Sequence, residues 1–175
     1  MNVELKIFHK HGIEKTTDFK KVELIANKLC NFMNTSVINK KIRDTHKVGI
    51  ASKEIQEILL PETKKLGFTS EKKGIFKEYP SSGLRPDYFK RVNNNTGIIM
   101  EVERGKTTTN NMDMLDIWKC HICKEANYLF MIVPMIRQTQ KGNSTQVFNK
   151  VVKRVSSFYH KENYINIDGV FILGY

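Results

Sequence analysis

Residues 85–106 read Arg85-Pro86-Asp87-Tyr88-Phe89-Lys90-Arg91-Val92-Asn93-Asn94-Asn95-Thr96-Gly97-Ile98-Ile99-Met100-Glu101-Val102-Glu103-Arg104-Gly105-Lys106, and they predict two strands around a turn. The first strand spans about 85–92. The cluster Asn93-Asn94-Asn95-Thr96-Gly97 is rich in residues that tolerate positive φ and makes the turn. The second strand spans about 98–104 and is apolar apart from its acids. Alternation puts Ile99, Glu101 and Glu103 on one face and Met100 and Val102 on the other. A three-residue loop sets Asp87 opposite Glu101, and a five-residue loop sets it opposite Glu103. A two-residue loop at Asn94-Asn95 would turn Asp87 to the wrong face. In either odd case the three carboxylates crowd together, since opposite Cβ atoms are about 4.5–5.5 Å apart. Such crowding is destabilising unless a cation or protons neutralise it. Hard oxygen ligands suit Mg²⁺ or Mn²⁺.

Pro86-Asp87, a turn, then Glu101-Val102-Glu103 resembles the active-site signature of the PD-(D/E)XK nucleases, a superfamily that includes many type II restriction endonucleases. The usual third residue there is lysine. This chain has Glu103, as a minority of restriction enzymes have Glu-x-Glu. The resemblance implies an α/β fold with a restriction endonuclease-like core: helix, three strands, helix, strand, in a mixed central sheet, with extra helices around it. It also implies a metal held by Asp87, Glu101, the carbonyl of Val102 and Glu103. Two lysines are candidates for the missing one: Lys106, just past the strand, and Lys119, on the following helix, where some members carry theirs. In several members the helix before the sheet adds a glutamate, which makes Glu54 or Glu57 a candidate here.

At 175 residues the chain is long enough for one domain with a real core. With 40% hydrophobic and 27% charged residues its composition is that of a folded protein, so the net charge of +11 stands out. That balance favours a polyanionic partner, nucleic acid or an anionic membrane surface. The longest apolar run, 128–136, is too short to span a bilayer and contains Pro134. Residues 1–6 lack the apolar core of a signal peptide. Cys30, Cys120 and Cys123 are too few for a disulfide framework, so a reducing, cytoplasmic compartment is expected.

Residues 3–8 alternate as a half-buried strand. Thr16, Thr17 and Asp18 are caps for a helix over about 19–33, with Val22, Ile25, Leu29, Phe32 and Met33 at helical spacing. Residues 34–47 are polar and basic (Lys40, Lys41, Arg43, His46, Lys47), a loop over a phosphate backbone or a solvated connector. Ser52 caps a second helix, 52–66, that Pro61 should kink or break and Gly67 closes. Residues 68–79 should hold the first core strand, with a turn at Lys72-Lys73-Gly74. A helix over 111–125 has Leu115, Trp118 and Ile122 at helical spacing, Asp113 and Asp116 suiting its dipole at the start and Lys119 and Lys124 towards its end. Cys120-His121-Ile122-Cys123 is not a zinc site, because no second Cys/His pair lies at ligand spacing; Cys123 is expected to pack as a small apolar residue.

Residues 128–133 are continuously apolar, a strand buried on both faces. Residues 137–145 read as a polar loop whose Arg137, Gln138, Gln140, Lys141 and Asn143 can reach phosphates or base edges. A helix over 145–160 sets Val147, Val151, Val155 and Phe158 against Lys150, Lys153, Arg154 and Lys161, a DNA-facing or solvated face. Residues 169–175 read as a last strand. The chain divides into an N-terminal extension (1–50), a catalytic core (51–136) and a C-terminal helix and strand (137–175) of one nuclease domain.

The function expected is a Mg²⁺-dependent DNA endonuclease, with Mn²⁺ able to substitute, of the type II restriction kind. Its partner would be double-stranded DNA, and palindromic cutting would imply a homodimer. A structure-specific or repair nuclease is the alternative within the class. A catalytically inactive DNA-binding protein on the same fold is the alternative outside it, kept open by Glu103 standing where lysine is usual.

Overall fold

The structure is a computed structural model that describes residues 2–70, 74–80, 84–138 and 142–175. The alternating N-terminal residues form strand β1 (Glu4–His9). Helix α1 (Thr17–Asn34) follows, capped by Thr16, whose hydroxyl accepts from the Phe19 N–H at 3.2 Å. The basic stretch after it is helical, not a loop: α2 (Ser36–Thr45) is seated by Ile42, with Ile38 one turn earlier packing partly against the core. Its lysines, Lys40 and Lys41, are exposed. Helix α3 (Ser52–Lys65) begins at Ser52 without a side-chain cap and runs through Pro61 unbroken. Pro61 and Glu57, whose carbonyl loses its donor, are both exposed, so water can serve that carbonyl. Gly67 closes the helix at φ +82°.

Among the described residues of 68–79, β2 (Thr69–Ser70) is the strand, and residues 76–79 are a turn that buries Phe76 against Tyr79. The predicted turn residues Lys72 and Lys73 lie outside the described residues, as do Gln140 and Lys141. The central hairpin is β3 (Tyr88–Asn93) and β4 (Thr96–Val102). Its loop is the two-residue Asn94-Asn95 turn, yet Asp87 is not turned away. Arg91 pairs with Gly97 and Asn93 with Thr96, so Val92 is the extra residue of a bulge that restores the register. No asparagine of the cluster has positive φ; the Asn93 side chain accepts from the Asn95 N–H at 2.8 Å instead. Asp18 of α1 holds the tip, accepting from Asn93 Nδ2 at 2.7 Å and Thr96 Oγ1 at 2.8 Å.

Helix α4 (Met112–Ile122) leads to β5 (Tyr128–Val133), every residue of which is buried. The expected polar loop contains a second hairpin, β6 (Ile136–Gln138) with β7 (Ser144–Gln146). Helix α5 (Val147–Phe158) and strand β8 (Gly169–Gly174) complete the chain. Among the described residues the main sheet has six strands in the order β1-β8-β5-β4-β3-β2. β5 is parallel to both β4 and β8, and the outer pairs are antiparallel. This is a mixed α/β sheet, and α3-β2-β3-β4-α4-β5 runs in the expected order of helix, three strands, helix, strand.

Helices cover both faces, which explains why the central strands are apolar throughout. On one face Ile98, Met100, Val102, Phe130 and Ile132 meet α1, α2 and α3 through Leu29, Met33, Ile42, Ile55 and Leu59. On the other, Ile99, Leu129, Met131 and Ile172 meet α4 and α5 through Ile117, Cys120, Val151 and Val155. Alternation along β4 therefore aims Glu101 at α4. That helix is turned from the expected orientation: Trp118 is 41% exposed, while Asp113, Asp116, Ile117, Lys119 and Cys120 are buried.

Gly97 marks where the hairpin meets the loop before β5. It exchanges hydrogen bonds with Asn127, and a Cβ there would strike the Glu125 carbonyl and lie 2.7 Å from the Phe89 ring. Gly97→Ala is expected to cost about 1–3 kcal/mol, read as a lower urea midpoint with an unchanged slope.

Candidate active site

The Tyr88–Met100 pairing puts Asp87 across from Glu101, the arrangement expected of a three-residue loop. The Asp87 N–H donates to Glu101 Oε2 at 3.2 Å, and the Val102 N–H donates to Asp87 Oδ2 at 2.8 Å. Glu101 is 3% exposed. Glu103 lies just past β4, where its N–H still donates to the Ile132 carbonyl at 2.8 Å and its side chain bonds Thr107. Arg104 turns away, as alternation predicts. Its guanidinium donates to the carbonyls of Lys47 and Ile50 and so fixes the loop between α2 and α3.

Of the two candidate lysines, α4 brings Lys119 to the carboxylates. Its Nζ donates to Glu101 Oε1 and lies 2.8 Å from Asp116 Oδ1. Lys106 is exposed in the loop after Glu103. Glu54 and Glu57 are exposed on α3, Glu57 in a 4.0 Å pair with Lys53. The α3 side chain that meets Asp87 is Gln56, by a hydrogen bond. Asp116, expected only to suit the helix dipole, is buried beside Lys119. The signal for it is that Asp113, Asp116, Lys119 and Cys120 recur at helical spacing, but nothing on α4 itself says that this polar stripe faces the sheet. Asp113 itself is held by Arg154, at 2.8 and 3.0 Å to its two oxygens, which takes Arg154 out of the basic face expected on α5. Cys120 and Cys123 are buried in the apolar cluster, and His121 Nδ1 accepts from the Asn166 N–H at 3.0 Å.

Four carboxylates thus share one buried ammonium. Burial pushes Asp87 and Glu101 up, Glu101 well above the usual range, with Asp116 adding repulsion at Glu101. Burial, then Asp116, raises Glu103 to about 8, and burial raises Asp116 to about 6. Burial opposes the charge on Lys119, but the Asp116 and Glu101 carboxylates outweigh it and hold the ammonium above its ordinary value. Asp116 Oδ2 has no hydrogen-bond partner among the described residues. The surplus negative charge and the all-oxygen donors suit a hard divalent cation. As they stand, the side chains close on one another: among the described residues no three acids, histidines or cysteines converge as a ready metal cage. A cation here would compete with Lys119 for Glu101.

No family model matches this chain, and no curated protein matches it. Among solved structures it is similar to the restriction endonuclease BglII complexed with a DNA 16-mer. The two are 12% identical with a TM-score of 0.49, and the match covers 99% of this chain and 78% of that one. A likeness of this degree carries no argument about chemistry, which rests on the side chains themselves.

Two outcomes follow from the charge balance. Lys119→Met should cost about 3 kcal/mol at pH 8, because it leaves buried carboxylates without their counter-charge. The loss should shrink at pH 5, where those carboxylates take up protons; urea denaturation at the two pH values reads it. Glu103, raised from 4.5 to about 8, is protonated in the folded chain where the unfolded chain has lost the proton. Its contribution to stability therefore falls as pH rises through that window. Thermal melts in EDTA should show the fall, and Glu103→Gln should flatten it.

Proposed function

We propose that this chain is a metal-dependent DNA endonuclease of the type II restriction kind. The observation that carries this reading is the bulged hairpin register, which sets Asp87 across from Glu101 with Glu103 two residues on, beside the buried Lys119. Residues 1–175 serve as one nuclease domain, in which 51–136 carry the chemistry. Asp87, Glu101 and the carbonyl of Val102 would hold Mg²⁺, or Mn²⁺ in its place, with Glu103 near enough in sequence to share it. Bound there, the ion would lower the pKa of a water and offset phosphate charge.

The chain's own groups then have distinct tasks. Glu103, half-buried and ionised above about pH 8, accepts the proton of the attacking water. The water oxygen bonds to phosphorus as the phosphorus–sugar oxygen bond breaks, and the departing sugar oxygen takes a proton from solvent. Lys119, already charged, would be freed from Glu101 as the ion takes that carboxylate, and would then offset negative charge as it builds on the phosphate. A basic chain of +11 draws the duplex in.

Palindromic cutting would require a homodimer. The outward face of α4 leaves Trp118 41% exposed, a side chain that subunit contacts favour. Among the described residues no helix is long and apolar enough to cross a membrane, and a cytoplasmic location belongs to the same proposal.

Incubation of a long, sequence-rich duplex with Mg²⁺ or EDTA tests the reading. Discrete fragments are expected only with metal. Asp87→Ala and Glu101→Ala should each lower cutting by at least about a hundredfold, on the order of 3 kcal/mol in barrier, with DNA binding retained. A smear would instead indicate a structure-specific or repair nuclease. Salt-sensitive binding without cutting in either metal would indicate an inactive DNA-binding protein.

A further inference from the structure

Resting on that reading, we infer that the β6–β7 ribbon is the element that reads base sequence, by lying in the major groove beside the scissile phosphate. The ribbon pairs Ile136 with Gln146, Arg137 with Thr145 and Gln138 with Ser144. Alternation therefore sets Gln138, Ser144 and Gln146 on one face, together with the half-buried Ile136. The three polar residues are exposed. Two amides and a hydroxyl can each donate and accept, the requirement for reading the edges of bases; glutamine pairs bidentately with adenine. A two-stranded ribbon is also of a size that the major groove, about 12 Å wide, admits.

The ribbon's anchorage ties it to the carboxylates. The Met135 N–H donates to the Tyr175 carbonyl, and the Tyr175 hydroxyl donates to the Glu103 carbonyl at 3.0 Å. On the other side of the ribbon, Arg137 donates to Thr109 Oγ1 at 2.6 Å, and Thr109 stands two residues past the Thr107 that bonds the Glu103 carboxylate. From just past α2, His46 Nε2 meets the Ile136 carbonyl at 2.8 Å. Three separate segments thus hold the ribbon's base, two of them through residues that bond Glu103 or stand beside its partner. A duplex whose phosphate reaches Asp87 and Glu103 passes this ribbon with a groove. Arg137 is a positioning residue here, because its guanidinium is committed to Thr109. The amide-bearing face is uncharged, so it adds specificity without adding to the electrostatic attraction that the lysines supply.

Cleavage of a sequence-rich duplex, with the cut ends sequenced, tests this with a triple variant, Gln138→Ala, Ser144→Ala and Gln146→Ala. Wild-type cuts should share a base sequence. In the variant, preference at one or more positions should fall about ten- to a hundredfold, while the slope of affinity against salt on random DNA stays the same. Unchanged preference in the variant overturns the ribbon's role. So does cutting by the wild type without any preference, although the nuclease reading then stands. Neither cutting nor binding by the wild type removes both. A second measurement does not depend on activity. In a Cys30→Ser background, Gln138→Cys should exchange onto a disulfide-activated tether placed on a base in the major groove. Lys28→Cys on α1 should not. Equal trapping of the two overturns the placement.

Discussion

The contact between the Lys119 ammonium and the Glu101 carboxylate joins the two halves of the molecule that matter most. Glu101 belongs to β4, and its direction is set by strand alternation. Lys119 belongs to α4, and its direction is set by which side of that helix faces the sheet. A buried carboxylate in an apolar layer is costly unless a counter-charge reaches it. The helix is therefore obliged to present its polar stripe inward at that level. Ile117 and Cys120 then pack beside the pair, and Trp118 is left outward. The inverted amphipathicity of α4 is a consequence of the acid on β4.

This also explains what could be read from the residues in advance and what could not. The central strands, their burial on both faces and the order of elements follow from continuous apolar runs and turn residues, and those were legible. The orientation of α4 was not, because counting apolar positions selects Leu115, Trp118 and Ile122, whereas a buried carboxylate on a different element decides the matter. The hairpin shows the same dependence. Asn93-Asn94-Asn95 announced a turn, but the loop length alone implied the wrong face for Asp87. The bulge at Val92 reversed the parity, and a bulge leaves little trace in sequence because any residue can occupy it. The α2 helix was hidden because only Ile38 and Ile42 of its ten residues seat it. On α3, Glu54 and Glu57 are acids that face solvent. Gln56, between them, is the side chain that faces Asp87, and it carries no charge to betray it.

The segments around Glu103 come from distant parts of the chain. Ile132 of β5 holds its N–H, Tyr175 its carbonyl and Thr107 its carboxylate. The next residue, Arg104, spends its guanidinium on the loop before α3. A carboxylate just past the end of its strand would otherwise be free to swing. Here its backbone is bonded on both sides, and its environment is set by fixed neighbours. The rise of its proton affinity to about 8 needs that rigidity, since a mobile side chain would relax into water and recover its ordinary value.

The charges of the site and of the whole chain have opposite signs, and the proposed reaction needs both. The chain at large carries +11, which attracts a polyanion over a distance set by salt. The site concentrates Asp87, Glu101, Glu103 and Asp116 around one ammonium, a local surplus that attracts a cation and would repel a phosphate by itself. A phosphate can approach such a site only when a cation, or protons on the carboxylates, offsets the surplus. Glu103, an acid just past the end of β4, makes the surplus larger. Lys119, arriving from the helix, restores one positive charge but spends it on Glu101 and Asp116. If the proposed reaction holds, discrimination between a charged partner that merely binds and one that reacts would lie with the divalent ion, because a duplex would dock on the basic surface without it but would not bring phosphorus to the acids.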